Sequence, residues 1–176
     1  MTDPGASAPA AIRQVRTSEI VTVVAVLVLD QVTKSMVRRE LPLHESVEVI
    51  PGFFNLTHVQ NTGAAFGLLG SAEFPYKTAV MIGIALLALV AIASFAVQLG
   101  RDERLARLGL ALILGGAIGN LLDRALVGHV VDFIDVYWGT WHFWAFNVAD
   151  AAISVGAGLV LLDMFGLGRQ HVSDPV

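Results

Sequence analysis

The segment Thr78–Val97, TAVMIGIALLALVAIASFAV, runs for twenty residues without a charged side chain. An α-helix rises about 1.5 Å per residue, so a helix of this length matches a hydrocarbon core of about 30 Å. The rest of the 176-residue chain has a similar character, with 55% hydrophobic and 15% charged residues. A soluble domain carries more charge than this on its surface. The sequence therefore predicts an α-helical integral membrane protein.

Three more apolar segments resemble this one, although two of them carry polar residues near one end. Four transmembrane helices are therefore expected, over residues 19–37, 78–97, 105–122 and 148–167. We expect them to form a single four-helix membrane domain over residues 18–168. A disordered cytoplasmic tail at residues 1–17, rich in Ala, Pro and polar residues, precedes this domain, and a short cytoplasmic tail at 169–176 follows it.

The distribution of Lys and Arg predicts the orientation of these helices. Neither residue occurs between Glu40 and Tyr76 or between Ala125 and Gly168, whereas arginines occur in both tails and in the connection around residues 98–107. The positive-inside rule then places both termini in the cytoplasm, with outer loops at about 40–75 and 123–147. The first outer loop alternates β-branched or aromatic residues with polar ones, so we expect a small extracytoplasmic β-structure there.

Polar residues gather near the predicted outer ends of the helices. They are Asp30, Lys34, Asn120, Asp123, Arg124, Asn147 and Asp150, with Asp132 and Asp135 in the second outer loop. An ionisable side chain within the bilayer costs about 2.5–3.5 kcal/mol on insertion scales, so this clustering indicates a functional site. Gly115 and Gly119 form a GxxxG pair that is expected to let the fourth helix approach the third.

A pair of aspartates suits hydrolysis without a metal or a nucleophile. Two neighbouring carboxyl groups cannot both ionise easily, so one accepts a proton from water while the other donates one to the substrate. The fourth helix supplies Asp150, and the loop before it supplies Asp132 or Asp135, which the residues alone leave open. A helix-capping role for Asp150 is the alternative.

The remaining charged residues have structural interpretations. Asp30 precedes Lys34 by four residues, a spacing that favours an ion pair on one helix. We expect Asp123 to pair with its neighbour Arg124. Asp163, near the inner end of the fourth helix, is expected to reach cytoplasmic water and to have no role in the function.

Other kinds of chemistry find little support in the sequence. The chain has no cysteine, and its five histidines show no metal-binding spacing, so we expect no metal site. A net charge of −4 without a basic stripe argues against a nucleic-acid partner. A non-enzymatic proton-relay or channel subunit, or a membrane scaffold, would use the same buried carboxylates or the aromatic residues of the second loop.

Five short motifs occur in order along the chain: DQVTK (30–34), NTGAAF (61–66), GGAIGNLLDR (115–124), HVVDF (129–133) and FNVAD (146–150). Together they resemble the lipoprotein signal peptidase family, signal peptidase II. The resemblance implies an intramembrane aspartyl endopeptidase of the bacterial inner membrane, without a cofactor. Its substrate would be a prolipoprotein whose cysteine carries diacylglycerol, held among membrane lipid, and cyclic peptides would inhibit it.

The resemblance also implies a role for each matched residue. It assigns the catalytic pair to Asp132 and Asp150. The residues that hold the substrate backbone or a cyclic peptide inhibitor are Asn61, Asn120, Arg124 and Asn147. Asp30, Lys34 and Asp123 match structural polar positions.

Overall fold

Helices make up most of the computed structural model, which describes residues 15–63, 75–100 and 102–166. The helices are α1 (Thr17–Glu40), α2 (Lys77–Ala96), α3 (Arg104–Val127) and α4 (Val148–Met164). The strands are β1 (Ser46–Ile50), β2 (Phe54–Asn61), β3 (Val130–Trp138) and β4 (Trp141–His142). The predictions for the C-terminal tail and for most of the N-terminal tail lie outside the described residues, as does the AAF part of the NTGAAF motif.

Local sequence signals explain where three of these helices begin or end. The Glu19 carboxylate accepts a hydrogen bond from the backbone N–H of Arg16, which caps the start of α1. Gly128 follows α3 with a φ of 82°, a left-handed conformation that glycine adopts without strain. Asn147 caps α4, because its side-chain oxygen accepts the N–H of Asp150 at 2.9 Å.

Helices α1, α2 and α3 are long and apolar enough to cross a membrane, and their positions agree with the predicted spans. Helix α4 has 17 residues and is shorter than the other three. Large apolar side chains on the outer faces are exposed in the isolated chain, among them Val24, Leu87 and Leu126. Such faces suit contact with lipid. The expected count of four membrane-spanning helices is thus not confirmed by helix length and composition.

Helix α3 is the centre of the bundle and packs against the other three helices. Its contact with α4 depends on glycines, because a Cβ on Gly109 would lie 2.5 Å from the backbone oxygen of Gly156. A Cβ on Gly115 would instead meet Val26 of α1 at 2.9 Å. The GxxxG prediction was therefore wrong for Gly115, which faces α1, whereas Gly119 faces both α1 and Ala149 of α4.

The four strands form an antiparallel sheet in the order β1-β2-β3-β4. The hairpin of β1 and β2 confirms the β-structure that was expected in the first loop. Strand β3 was not expected, although it pairs with β2 along most of its length. Val131 and Phe133 of β3 pack against Val37 and Leu41, so the sheet is attached to the end of α1. We call this end of the bundle, where α4 begins, the sheet end, and the opposite end the far end.

Two expectations about charged residues were wrong. Asp123 forms its ion pairs with Lys34 at 2.8 Å and Arg38 at 3.4 Å, both on α1, rather than with its neighbour Arg124. Consecutive residues on a helix point about 100° apart, so the adjacent helix is the better partner. Asp163 is only 3% exposed instead of reaching water, because the side of α4 that carries it packs within the bundle.

Candidate active site

The structure brings Asp132 and Asp150 to one cavity at the sheet end. Asp132 lies on β3, and Asp150 lies in the first turn of α4. Both carboxyl groups line a cavity of about 350 Å³. The other lining residues are Asn61, Phe143, Trp144, Ala145, Phe146, Ala151, Ile153, Ser154 and Val155. Two carboxyl groups therefore face a largely apolar space from two different elements.

Asn147 connects the two aspartates. Its side-chain Nδ2 donates to Asp132 Oδ1 at 2.7 Å, and its backbone N–H donates to Asp150 Oδ2 at 3.3 Å. Its side-chain oxygen also caps the N–H of Asp150. The capping role considered for Asp150 is thus present alongside its position in the cavity. Because Asn147 is fully buried, it fixes the start of α4 relative to β3.

Two further asparagines donate to the carboxyl groups from other elements. Asn61 Nδ2, at the end of β2, donates to the second oxygen of Asp132 at 3.0 Å. Asn120 Nδ2, on α3, donates to Asp150 Oδ1 at 2.8 Å. Amide donors stabilise the ionised form of a carboxyl group. Asn61, Asn120 and Asn147 together fix the positions of both carboxyl groups.

Asp135 lies apart from this cavity. Its carboxylate accepts from Asn55 Nδ2 at 3.0 Å and lies 2.9 Å from Nδ1 of His142. Side chains alternate between the faces of a strand, so residues 132 and 135 of β3 point to opposite sides. Of the two aspartates that the sequence left open, Asp132 is the one that shares a cavity with Asp150.

The environment of Asp132 favours its protonated form. Burial, followed by the charge of Asp150, raises the pKa of Asp132 from 3.8 to about 6, against the lowering effect of the Asn61 and Asn147 amides. A carboxyl group with such a pKa gains and loses a proton near neutral pH. The site is therefore electrostatically suited to transferring protons to and from a reacting group.

Behind Asp150 lies a group of buried ions, here called the lysine cluster, which comprises Asp30, Lys34 and Asp123. Lys34 Nζ is 2.8 Å from a carboxylate oxygen of each aspartate and donates to Asn120 Oδ1 at the same distance. The predicted Asp30–Lys34 pair is thus present. Asp30 Oδ1 also accepts the backbone N–H of Ala149 at 3.0 Å. The cluster therefore joins α1 and α3 to the first turn of α4.

Arg124 occupies the other side of the site. One guanidinium nitrogen donates to the backbone oxygen of Asn120 at 3.2 Å, and another donates to that of Gly63 at 2.6 Å. Asn61 also accepts the N–H of Gly63, at 2.9 Å. Arg124 and Asn61 thus hold the same turn, at the point where the described part of the first loop ends.

Sequence reasoning missed some residues around the site. Gln31 donates to Asp30 Oδ2 at 3.1 Å and to the backbone oxygen of Gly119 at 3.2 Å. It lies within the DQVTK motif, which could have indicated it. Phe143 and Phe146 form part of the cavity wall and meet edge to face. Their roles depend on how the segment between β4 and α4 folds, which no local pattern predicted.

Comparison with known proteins identifies relatives over nearly the whole described chain. A family model described as Signal peptidase (SPase) II matches residues 22–166. A protein named lipoprotein signal peptidase from Geobacter metallireducens is 48% identical over 159 residues, which cover 90% of this chain and 96% of the relative. A protein of the same name from Photorhabdus laumondii is 46% identical and covers 81% of this chain and 84% of its own length.

Solved structures resemble the chain in fold as well. A structure described as that of a bacterial membrane enzyme, obtained by the in meso method at 2.3 Å, has a TM-score of 0.77 and 29% identity. It covers 96% of this chain and 99% of its own. A second structure with this description, at 1.9 Å, has a TM-score of 0.73 and 28% identity, and covers 95% of this chain and all of its own.

Proposed function

Because the chain belongs to the signal peptidase II family, as its motifs predicted, we propose that it is an endopeptidase that removes the signal peptide from prolipoproteins. The observation that carries this proposal is the family match over residues 22–166, which includes all the residues of the site. The family gives no support to a proton-relay or channel subunit. The substrate is a prolipoprotein whose cysteine carries diacylglycerol, and the enzyme acts in the bacterial inner membrane.

The proposed chemistry is hydrolysis by water, with Asp132 and Asp150 as the catalytic pair. The ionised carboxylate of the pair removes a proton from the attacking water, and the protonated one donates to the carbonyl oxygen or the leaving amine. Their shared cavity and their common partner Asn147 support this assignment. Asn61, Asn120, Asn147 and Arg124 hold the carboxyl groups and the substrate backbone, and cyclic peptide inhibitors would occupy the same contacts.

We further propose that all four helices cross the membrane, with both termini in the cytoplasm. The 17 residues of α4 span about 25 Å at the helical rise, slightly less than the hydrocarbon core. Asn147 and the aromatic residues before it complete the crossing at the membrane surface. The sheet and the carboxyl pair then lie at the outer face. A cysteine whose acyl chains are anchored in the outer leaflet places its peptide bond at this depth.

The direct test is cleavage of a diacylglyceryl-modified prolipoprotein by the purified full chain in detergent. We expect the shortened product from the wild type, and a loss of about 10²- to 10⁴-fold for Asp132→Asn and Asp150→Asn. Asp135→Asn is the matched control, because it changes a carboxylate on the same strand outside the cavity, and it should retain most of the activity. A wild-type rate in either of the first two variants would remove that residue from the pair.

The role of the lipid can be tested with the same enzyme and an unmodified prolipoprotein of identical sequence. Each buried CH₂ contributes about 0.8 kcal/mol to membrane partitioning, so two acyl chains dominate the positioning of the substrate. We expect kcat/KM for the unmodified form to be lower by a factor of about 100 or more. Equal values for the two forms would show that the peptide sequence selects the bond.

A further inference from the structure

The side chain of Asn120 connects the lysine cluster to the carboxyl group of Asp150. Lys34 Nζ is a donor only, and its three contacts at 2.8 Å are to Asp30, Asp123 and the side-chain oxygen of Asn120. Were the Asn120 amide reversed, its NH₂ group would face the ammonium group, donor against donor. Lys34, with a longer contact from Asn147 Nδ2 at 3.4 Å to the same oxygen, therefore fixes the orientation in which Asn120 Nδ2 points at Asp150 Oδ1.

The same lysine also brings a positive charge close to the carboxyl pair. Lys34 is fully buried, so its charge acts through a medium of low dielectric constant. In the described part of the chain, the charged side chains acting on the pair are Asp30 and Lys34 from α1 and Arg124 from α3. Asp123 of α3 lies behind Lys34 and pairs with it. Strand β3 and helix α4 contribute only the two aspartates of the pair, since Asp135 points away.

We propose that Lys34 is a positioning residue for the cleavage reaction: it orients the Asn120 amide toward Asp150, and its charge keeps one carboxylate of the Asp132–Asp150 pair ionised. This inference rests on the proposed function and goes beyond the structural role implied by the DQVTK motif. It has electrostatic support at Asp132, whose pKa is raised mainly by burial and is held down in part by the charge of Lys34.

The charges in the cluster give the proposal a distinctive signature. Removing the positive charge of Lys34 makes ionisation of the pair harder, so both limbs of the kcat/KM against pH profile move to higher pH. Removing the negative charge of Asp123 makes ionisation easier, so both limbs move to lower pH. If Lys34 and Asp123 acted on stability alone, their variants would lower the amount of folded enzyme and would leave the pH profile at its wild-type position.

The experiment measures kcat/KM against pH for cleavage of the lipid-modified prolipoprotein by full-length Lys34→Met and Asp123→Asn variants. We expect shifts of about one pH unit, upward for Lys34→Met and downward for Asp123→Asn. We also expect a fall in kcat of about tenfold or more for Lys34→Met, because the Asn120 oxygen loses its shortest contact and keeps only the longer one from Asn147. Lys34→Arg retains the charge and should return the profile to its wild-type position.

Glu19→Gln is the matched control, because it removes a carboxylate that also joins α1 to α3, at the far end of the bundle. Its pH profile should coincide with that of the wild type. If Lys34→Met does not fold, Asp123→Asn decides the question, since it leaves Asp30 paired with Lys34. An unmoved Asp123→Asn profile, or shifts of the same sign in both variants, would overturn the proposal. Failure of the wild type to cleave would instead overturn the proposed function.

Discussion

Two groups of ions join α1 to α3, one at each end of the bundle, and they differ in the residues that they contact. At the far end, Arg107 binds both carboxylate oxygens of Glu19 and donates to the backbone oxygen of Leu99 at 3.2 Å. At the sheet end, Lys34 contacts two aspartates and also Asn120, which continues to Asp150. The distance between the two groups along α1 is about 22 Å, or fifteen residues.

A buried charge in a membrane helix does not by itself mark a functional site. Lys34 and Arg107 are both buried and would be costly to bury without partners, and both are paired with carboxylates. The difference lies in the neutral amides at the sheet end. Asn120 and Asn147 link the lysine cluster to carboxyl groups that face a cavity. Arg107 instead binds Glu19 and a backbone oxygen.

The largest effect on activity should come from replacing Asn147, which contacts both carboxyl groups at the sheet end. Asn147→Ala removes the donor to Asp132 Oδ1 and the side-chain cap on the N–H of Asp150. We expect kcat/KM for prolipoprotein cleavage to fall by about 100-fold or more, because both carboxyl groups lose their placement. Glu19→Gln, its counterpart at the far end, should stay within about twofold of the wild type. Similar losses in both variants would contradict the distinction between the two ends.

The next effect is the dependence of the free energy of unfolding on pH at the sheet end. The folded pKa of Asp132 is about 6, above its ordinary 3.8, so its stabilising contribution is complete below pH 3.8 and is lost as the pH rises through 6. The expected loss is about 3 kcal/mol, from a shift of about two pKa units.

Thermal unfolding in detergent between pH 4 and pH 7, at roughly one-unit steps, would measure this loss. The Asp132→Asn variant should lack this component, since an amide does not titrate, while Glu19→Gln should keep it. If the free energy of unfolding of Asp132→Asn falls with pH as steeply as that of the wild type, another group causes the pH dependence.

Glycines offer a smaller and more local test of the same contrast. A Cβ on Gly119 would lie 2.6 Å from Asp30 Oδ2 at the sheet end. A Cβ on Gly109, nearer the far end of α3, would lie 2.5 Å from the backbone oxygen of Gly156 on α4. Each Ala substitution should destabilise the fold by about 1–3 kcal/mol through overpacking. Only Gly119→Ala should also lower kcat of the folded enzyme, because it displaces Asp30 from the start of α4.

Gly158→Ala serves as the control for these two variants, since a Cβ there meets nothing within 4 Å. Melting temperature and kcat measured on the same detergent preparations separate stability from activity. An equal loss of kcat in Gly109→Ala and Gly119→Ala would show that helix spacing in general controls the site.

The smallest effect is expected from Arg38, which pairs with Asp123 at the partly exposed side of the lysine cluster. Arg38 lies 3.4 Å from Asp123, and its side chain is 30% exposed. Ion pairs that water reaches contribute about 0–1 kcal/mol, so Arg38→Gln should change the melting temperature and kcat/KM little. Raising the salt concentration should leave the difference between variant and wild type nearly unchanged. A loss comparable to that of Lys34→Met would show that Asp123 depends on Arg38 for its placement.

The amino-acid sequence alone predicted the four helices and named the two aspartates that the structure brings to one cavity. Unbroken apolar segments predict helices wherever they occur, as Thr78–Val97 does, because backbone groups in lipid must satisfy one another. The pairing of Asp30 with Lys34 follows from helical spacing alone. The five motifs together indicated the family, and the aspartates of HVVDF and FNVAD line one cavity.

The features that the sequence did not predict depend on contacts between segments that are distant along the chain. The separation of Asp132 from Asp135 follows from β3 being a strand, and β3 is stabilised by pairing with β2, some seventy residues earlier in the chain. The HVVDFIDVYW segment alternates weakly because both of its faces are largely buried, so periodicity could not identify it. Likewise, Asp123 pairs with Lys34 and not with its sequence neighbour, and Asp163 is buried. Both outcomes depend on which helix packs against each side chain.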